Sequence, residues 1–150
     1  MEFETKVKIA SGILAVSALS LGGFIYLSYR TRTLVVFDLL DSLHLSCLVS
    51  LLRSDTDNLA EWIKFSLPDG LWVFTYVLYI GIVYSFKTDK CKLMVSVLPI
   101  IGIVSEFLQY ARIIPGTFDV IDLLAYTIGG LVGLGYINIV KQLILKRKEV

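Results

Sequence analysis

The chain has 150 residues, 56% of them apolar, a mean hydropathy of +0.77 and a formal net charge of +1. A water-soluble domain is about 45–50% apolar, so this composition excludes an ordinary soluble globule, and the near-neutral charge excludes the basic surface that nucleic acid requires. Two cysteines (Cys47, Cys91) and a single histidine (His44), without metal-type spacing, exclude a zinc site and a disulfide framework.

The first element follows MEFETKVK, where Lys6 and Lys8 precede an apolar run over 9–29. That run exceeds the roughly 7–15 apolar residues of a signal peptide, so it reads as a retained spanning helix, which needs about 20 residues. Next comes 34–52, LVVFDLLDSLHLSCLVSLL. Here Asp38, Ser42, Ser46, Ser50 and Arg53 recur every three to four residues and draw one polar stripe on an apolar helix. Such a helix lies in the interface, re-enters from one side, or spans with its stripe turned inward.

Three further windows have spanning length and polarity. They are 67–86 (LPDGLWVFTYVLYIGIVYSF), 93–110 (LMVSVLPIIGIVSEFLQY) and 120–140 (VIDLLAYTIGGLVGLGYINIV). Pro68 suits a first helical turn, and Pro99 should kink the third span. Tyr26, Tyr29, Trp72, Tyr84, Tyr110 and Tyr136 fall near span ends, as interfacial aromatics do. With four spans, the lysines around 87–92 and in the tail share the side of Lys6 and Lys8. A fifth span over 34–52 would turn them outward, against the positive-inside rule. The expected fold is therefore one all-α integral membrane domain over 1–150. It has four transmembrane helices, an outer amphipathic or re-entrant helix over about 34–52, and both termini cytoplasmic.

This topology gathers polar residues at the outer membrane boundary. Glu106 and Gln109 are three apart and share a helix face, as do Asp119 and Asp122 across a short Pro115-Gly116-Thr117 turn. Asp69 enters from the same side, as does the stripe with Asp38, Asp41 and His44. A carboxylate at the bilayer centre costs about 2.5–3.5 kcal/mol, so Glu106, roughly one turn deep, requires a reason. Several carboxylates coexist only with Arg112, a cation or a shared proton. Plainer roles compete: Asp119 or Asp122 as a helix cap, Asp69 as a first-turn acid, Glu106 as the partner of Arg112 or of another helix's backbone. Gly129 and Gly133 have the small-xxx-small spacing of close helix packing.

The pattern Glu106-x-x-Gln109, Pro115-Gly116, Asp119-x-x-Asp122, Thr127-x-Gly129 resembles the VanZ-like family of small bacterial membrane proteins, over about 105–136. The family commonly has Arg where this chain has Thr117, and often Asn where it has Tyr126. The resemblance implies a multi-pass protein of the bacterial cytoplasmic (inner) membrane, acting in the cell envelope. Founding members of the family are associated with resistance to the glycopeptide teicoplanin.

Three functions follow as expectations. The first is a binding or antibiotic-resistance accessory protein. Its outward acidic pocket, built from Glu106, Gln109, Arg112, Asp119, Asp122 and Asp69, would hold a lipid headgroup, a cell-wall precursor or a glycopeptide-type compound, with no cofactor and no metal. The second is an intramembrane hydrolase or transferase using paired carboxylates as acid and base on a lipid-linked substrate. The third is a structural subunit, a homo-oligomer or part of a complex with a membrane partner protein. Acids at only one end of four helices give a channel no continuous polar path.

Overall fold

The computed structural model describes residues 2–30, 35–53, 59–86 and 88–148. Among these residues seven helices follow in chain order: α1 (Glu2–Tyr29), α2 (Val35–Ser42), α3 (Ser46–Leu52), α4 (Glu61–Phe65), α5 (Leu67–Val83), α6 (Thr88–Tyr110) and α7 (Val120–Lys148). There is no strand among the described residues. The stretches Phe3–Tyr29, Leu93–Tyr110 and Val120–Arg147 are long and apolar enough to cross a membrane. Their outward faces stay apolar: Ile13 is 64% exposed, Leu93 72% and Leu131 62%. Apolar surface this extensive suits a hydrocarbon surrounding rather than water.

The fourth apolar helix, α5, differs from the other three. It has 17 residues, about 25 Å at 1.5 Å per residue, and sits at the centre of the bundle, packed on α1, α7 and α6. Val73, Val77, Leu78 and Gly81 are all buried. It carries no charge after Asp69, and an all-round apolar helix is one that other helices surround. Pro68 lies in its first turn, where a missing N–H leaves no hydrogen bond unmade.

α5 and α7 run parallel. Gly70 meets Ala125 and Gly129, Val77 meets Gly133, and Gly81 meets Ile137. A side chain at Gly129 would run into the Gly70 carbonyl, and one at Gly133 would sit 2.7 Å from Val77 Cγ1. The expected small-residue contact is thus the α5–α7 seam. α1 and α6 run the other way. Thr75 of α5 donates to the Ala15 carbonyl (3.2 Å), Tyr76 to that of Met94 (2.6 Å), and Gly130 of α7 faces the Pro99 ring inside α6. The start of α1 and the end of α7 therefore meet at one end of the bundle, with the Arg147 guanidinium 5.2 Å from the Phe3 ring centroid. A core cluster that includes Val77, Phe86, Cys91, Val95 and Ile137 fills this end.

The stretch expected as one helix over 34–52 is two short helices. Residue 34 lies outside the described residues. The break falls at Leu43–Leu45, where His44 takes φ 59°. Histidine is among the few side chains enriched in this left-handed region. Ser42 Oγ bonds the Leu39 carbonyl (2.7 Å) and Ser50 Oγ that of Cys47 (2.8 Å), local bonds that compete with helix propagation. At 8 and 7 residues, neither piece approaches the ~20 residues of a span. The polar stripe of Asp38, Ser42, Ser46, Ser50 and Arg53 is exposed, while Phe37 and Val49 face inward. Ser28 of α1 donates to the Leu52 carbonyl (2.8 Å), which seats α3 on the end of α1.

Candidate functional site

The end of the bundle opposite Phe3 and Arg147 brings together the last turn of α1, the start of α5, the end of α6 and the start of α7. Glu106, in the last two turns of α6, is only 3% exposed. Its carboxylate accepts the backbone N–H of Asp119 at 3.0 Å. Asp119 in turn caps α7, with Oδ1 accepting the N–H of Ile121 at 2.7 Å. Its own carbonyl takes the N–H of Leu123 (3.1 Å), so the residue closes the first turn twice. Glu106 and Asp119 are therefore one latch across the α6–α7 hairpin. Arg112 is not the partner of Glu106: it is exposed, sits in the connection at φ 56°, and forms no ion pair with these acids among the described residues.

Gln109 turns toward the connection. Gly116 holds φ 137°, which only glycine adopts freely, and a Cβ there would meet Gln109 Cδ at 2.6 Å. Gln109 thus lies over the hairpin turn, with Thr117 exposed beside it.

The remaining acids lie at the same end of the bundle. Asp69, in the first turn of α5, feels the charges of Asp122, Glu106 and, with opposite sign, Arg30. Tyr126 of α7, one turn below Asp122, points its hydroxyl at Asp69 Oδ2 (3.4 Å). Its ring lies against α6, where a Cβ on Gly102 would be 2.7 Å away. Tyr126 thus spans from α6 to the α5 carboxylate. Asp38, Asp41 and His44 are exposed on and after α2. Of the sequence-derived set, the fold brings together Asp69, Glu106 and Asp122, ties Asp119 to Glu106, and leaves Gln109 and Arg112 to the turn.

Two residues outside the sequence-derived set lie at this end of the bundle. Trp72 reads from the sequence as an interfacial aromatic, and Arg30 carries no assignment there. Arg30 Nη2 donates to the Phe65 carbonyl at 3.1 Å, and its guanidinium packs over Tyr26 and Phe65, 5.5 and 5.1 Å from their centroids. Trp72 packs on Tyr26, 5.1 Å between centroids. The usable signal was position: Arg30 ends an apolar run, one residue beyond Tyr29, on the side from which Asp69 enters.

Among the described residues, three buried side-chain atoms lack a hydrogen-bond partner: Arg30 Nε, Trp72 Nε1 and Asp122 Oδ1. All three lie at this end. Buried polar atoms are nearly always paired, and here two donors and one acceptor are not. No three His, Cys, Asp or Glu side chains among the described residues converge closely enough to hold a metal ion.

Beside the cluster, an apolar groove of about 480 Å³ runs along the α5–α7 seam. Leu67, Leu71 and Phe74 form one wall, Leu124, Ile128 and Val132 the other, with Trp62 and Ser66 at the top.

Fold and cluster together define a class: an all-helical protein with membrane-spanning character and a buried polar knot at one end of its bundle. Comparison with family models, with curated proteins and with solved structures finds no match to this chain.

Proposed function

We propose that this is a four-span protein of the bacterial cytoplasmic membrane whose outward-facing polar end binds a component of the cell envelope. Three long apolar helices support the membrane assignment. The fourth span is α5, which α4 and Ser66 extend at its outer end. Meeting of the chain ends supports both termini on one side, and Lys6, Lys8, Lys141, Lys146 and Arg147 at that end favour the cytoplasm. The polar cluster then faces outward, where 105–136 also resembles the VanZ-like pattern.

The observation that carries the binding reading is the set of unpaired buried atoms, Arg30 Nε, Trp72 Nε1 and Asp122 Oδ1. A fold gains nothing by leaving such atoms unpaired, at roughly 1–3 kcal/mol each, and a bound polar group supplies the missing partner. Functional sites commonly give up stability in this way. Asp122→Asn removes one carboxylate from the group acting on Asp69, so it is expected to leave thermal stability in detergent unchanged or raised. Soluble headgroup compounds (phosphoethanolamine, phosphocholine, glycerol phosphate) and teicoplanin serve as probes. A probe that raises the melting temperature of the native protein but not of Asp122→Asn supports the site. Equal shifts in both proteins, or strong destabilisation by Asp122→Asn, defeat it. The hydrolase or transferase alternative uses the same Asp69 and Asp122, and turnover of a lipid-linked substrate is its separate readout.

A further inference from the structure

The opposite end of the bundle, away from the acids, is basic. A cavity of about 560 Å³ opens there between the start of α1 and the end of α7, lined by Phe3, Leu143, Lys146 and Arg147. Leu143, Lys146 and Arg147 stand at i, i+3 and i+4, so they share one face of α7. Phe3 closes the cavity from α1. Its ring packs against the core cluster, and the Arg147 guanidinium lies 5.2 Å from the ring centroid. A guanidinium held over an aromatic ring keeps its in-plane N–H donors to offer. No acid lines the cavity among the described residues, and Glu4, next to Phe3 in the chain, is paired with Lys8 at 3.2 Å.

The cavity also sits at the depth of lipid phosphates. A hydrocarbon core of about 30 Å takes up about 20 residues of helix. Counted from Leu123, just past Asp122, that length ends near Gln142. Leu143 then marks the edge of the hydrocarbon, and Lys146 and Arg147 lie about 5–8 Å beyond it, within a headgroup layer of about the same thickness. Helix side chains lean toward the helix N-terminus, which for α7 is back toward the membrane.

Resting on the orientation proposed above, we infer that this cavity binds an anionic phospholipid of the cytoplasmic leaflet, its phosphate between Lys146 and Arg147 and the start of its acyl chain on Leu143 and Phe3. Arginine meets a phosphate through two parallel N–H bonds and lysine as a point charge. Two cations facing one phosphodiester favour a headgroup with net negative charge. A zwitterionic lipid brings an ammonium of its own to a site that is already basic.

The test titrates the full chain, in neutral detergent micelles, with phosphatidylglycerol and separately with phosphatidylcholine, and counts bound lipid by native mass spectrometry. Phosphatidylglycerol should bind about ten-fold more tightly or better. Lys146→Ala and Arg147→Ala alter exposed side chains, so both proteins fold. Each should weaken phosphatidylglycerol about five-fold, the contribution of one basic residue at an anionic surface, and the double variant about twenty-fold. Arg147→Lys keeps the charge and loses the fork, and should weaken binding about three-fold. Lys141→Ala removes a charge from the same helix end outside the cavity, and should leave binding unchanged.

Equal binding of the two lipids overturns the inference. So does an equal loss in Lys141→Ala and Lys146→Ala, which is diffuse attraction to a basic end, and so does full binding by Arg147→Lys. Displacement of the lipid by an equal concentration of glycerol phosphate assigns the cavity to a soluble phosphate and overturns the lipid. Micelles have no sides, so these outcomes are independent of the orientation and of the polar cluster at the other end. If the lipid binds as expected but an impermeant maleimide reaches Cys47 only after lysis, the leaflet assignment falls with the orientation and the cavity assignment stands.

Discussion

Glu106 and Asp122 are both acids near the lip of a membrane helix, and they do opposite work. Glu106 is almost fully buried and bonded to the Asp119 N–H. A hydrogen bond to a charged group is worth about 1.5–3 kcal/mol. Glu106→Ala should therefore lower stability by roughly that amount, read as a drop in thermal unfolding temperature in detergent, with Glu106→Gln losing less because an amide oxygen still accepts. An unchanged melting temperature for the Ala variant would show that the hairpin latch lies elsewhere. Asp122 has one oxygen buried and unpaired, hence the expected neutral or stabilising Asp122→Asn. Spacing made both residues visible as pairs with Gln109 and Asp119. It could not tell them apart, because which carboxylate meets a backbone N–H depends on how tightly the Pro115-Gly116 turn closes.

At the scale of elements, two sites test how the helices are shaped. Gly129 lets α7 touch the Gly70 carbonyl. Gly129→Ala forces backbone apart in a close-packed seam, and overpacking of this kind costs about 1–3 kcal/mol. Unfolding of the variant measures it, and a protein as stable as the native one would mean that the seam adjusts freely. His44 stands in the left-handed region at the break between α2 and α3. Glycine adopts that conformation without steric penalty, so His44→Gly should be neutral or stabilising, by up to about 1 kcal/mol. A loss of stability would assign the imidazole a contact role. The polar period of 34–52 suggested one helix, and period alone carried no sign of the break: serine back-bonding and a single left-handed residue interrupt the helix without disturbing the spacing of its stripe.

For the whole molecule, the cysteines report topology. Cys47 is exposed on α3 at the polar end, and Cys91 is buried in the core cluster near the other end. With the polar end outward, a membrane-impermeant maleimide added to intact cells should modify Cys47 and leave Cys91 unmodified until the protein is denatured. Modification of Cys47 only after lysis would reverse the orientation. Because the end of α7 meets the start of α1 at the end of the bundle away from Cys47, a cysteine introduced at Lys146 should show the opposite accessibility to Cys47.

Apolar composition and run length by themselves determined the helical class and placed the helices over 9–29, 93–110 and 120–140, because a backbone in hydrocarbon must satisfy its own hydrogen bonds and so must be helical. The glycines of IGGLVGLG marked a close contact for the same local reason. Tertiary structure alone decided which helix is central, that Arg30 and Trp72 join the acids, that Gln109 and Arg112 do not, and that an apolar groove opens beside them. Those facts depend on helix rotation and on which ends meet, and residues such as Arg30 and Asp69, 39 positions apart in the chain, become neighbours only when α1 and α5 pack antiparallel.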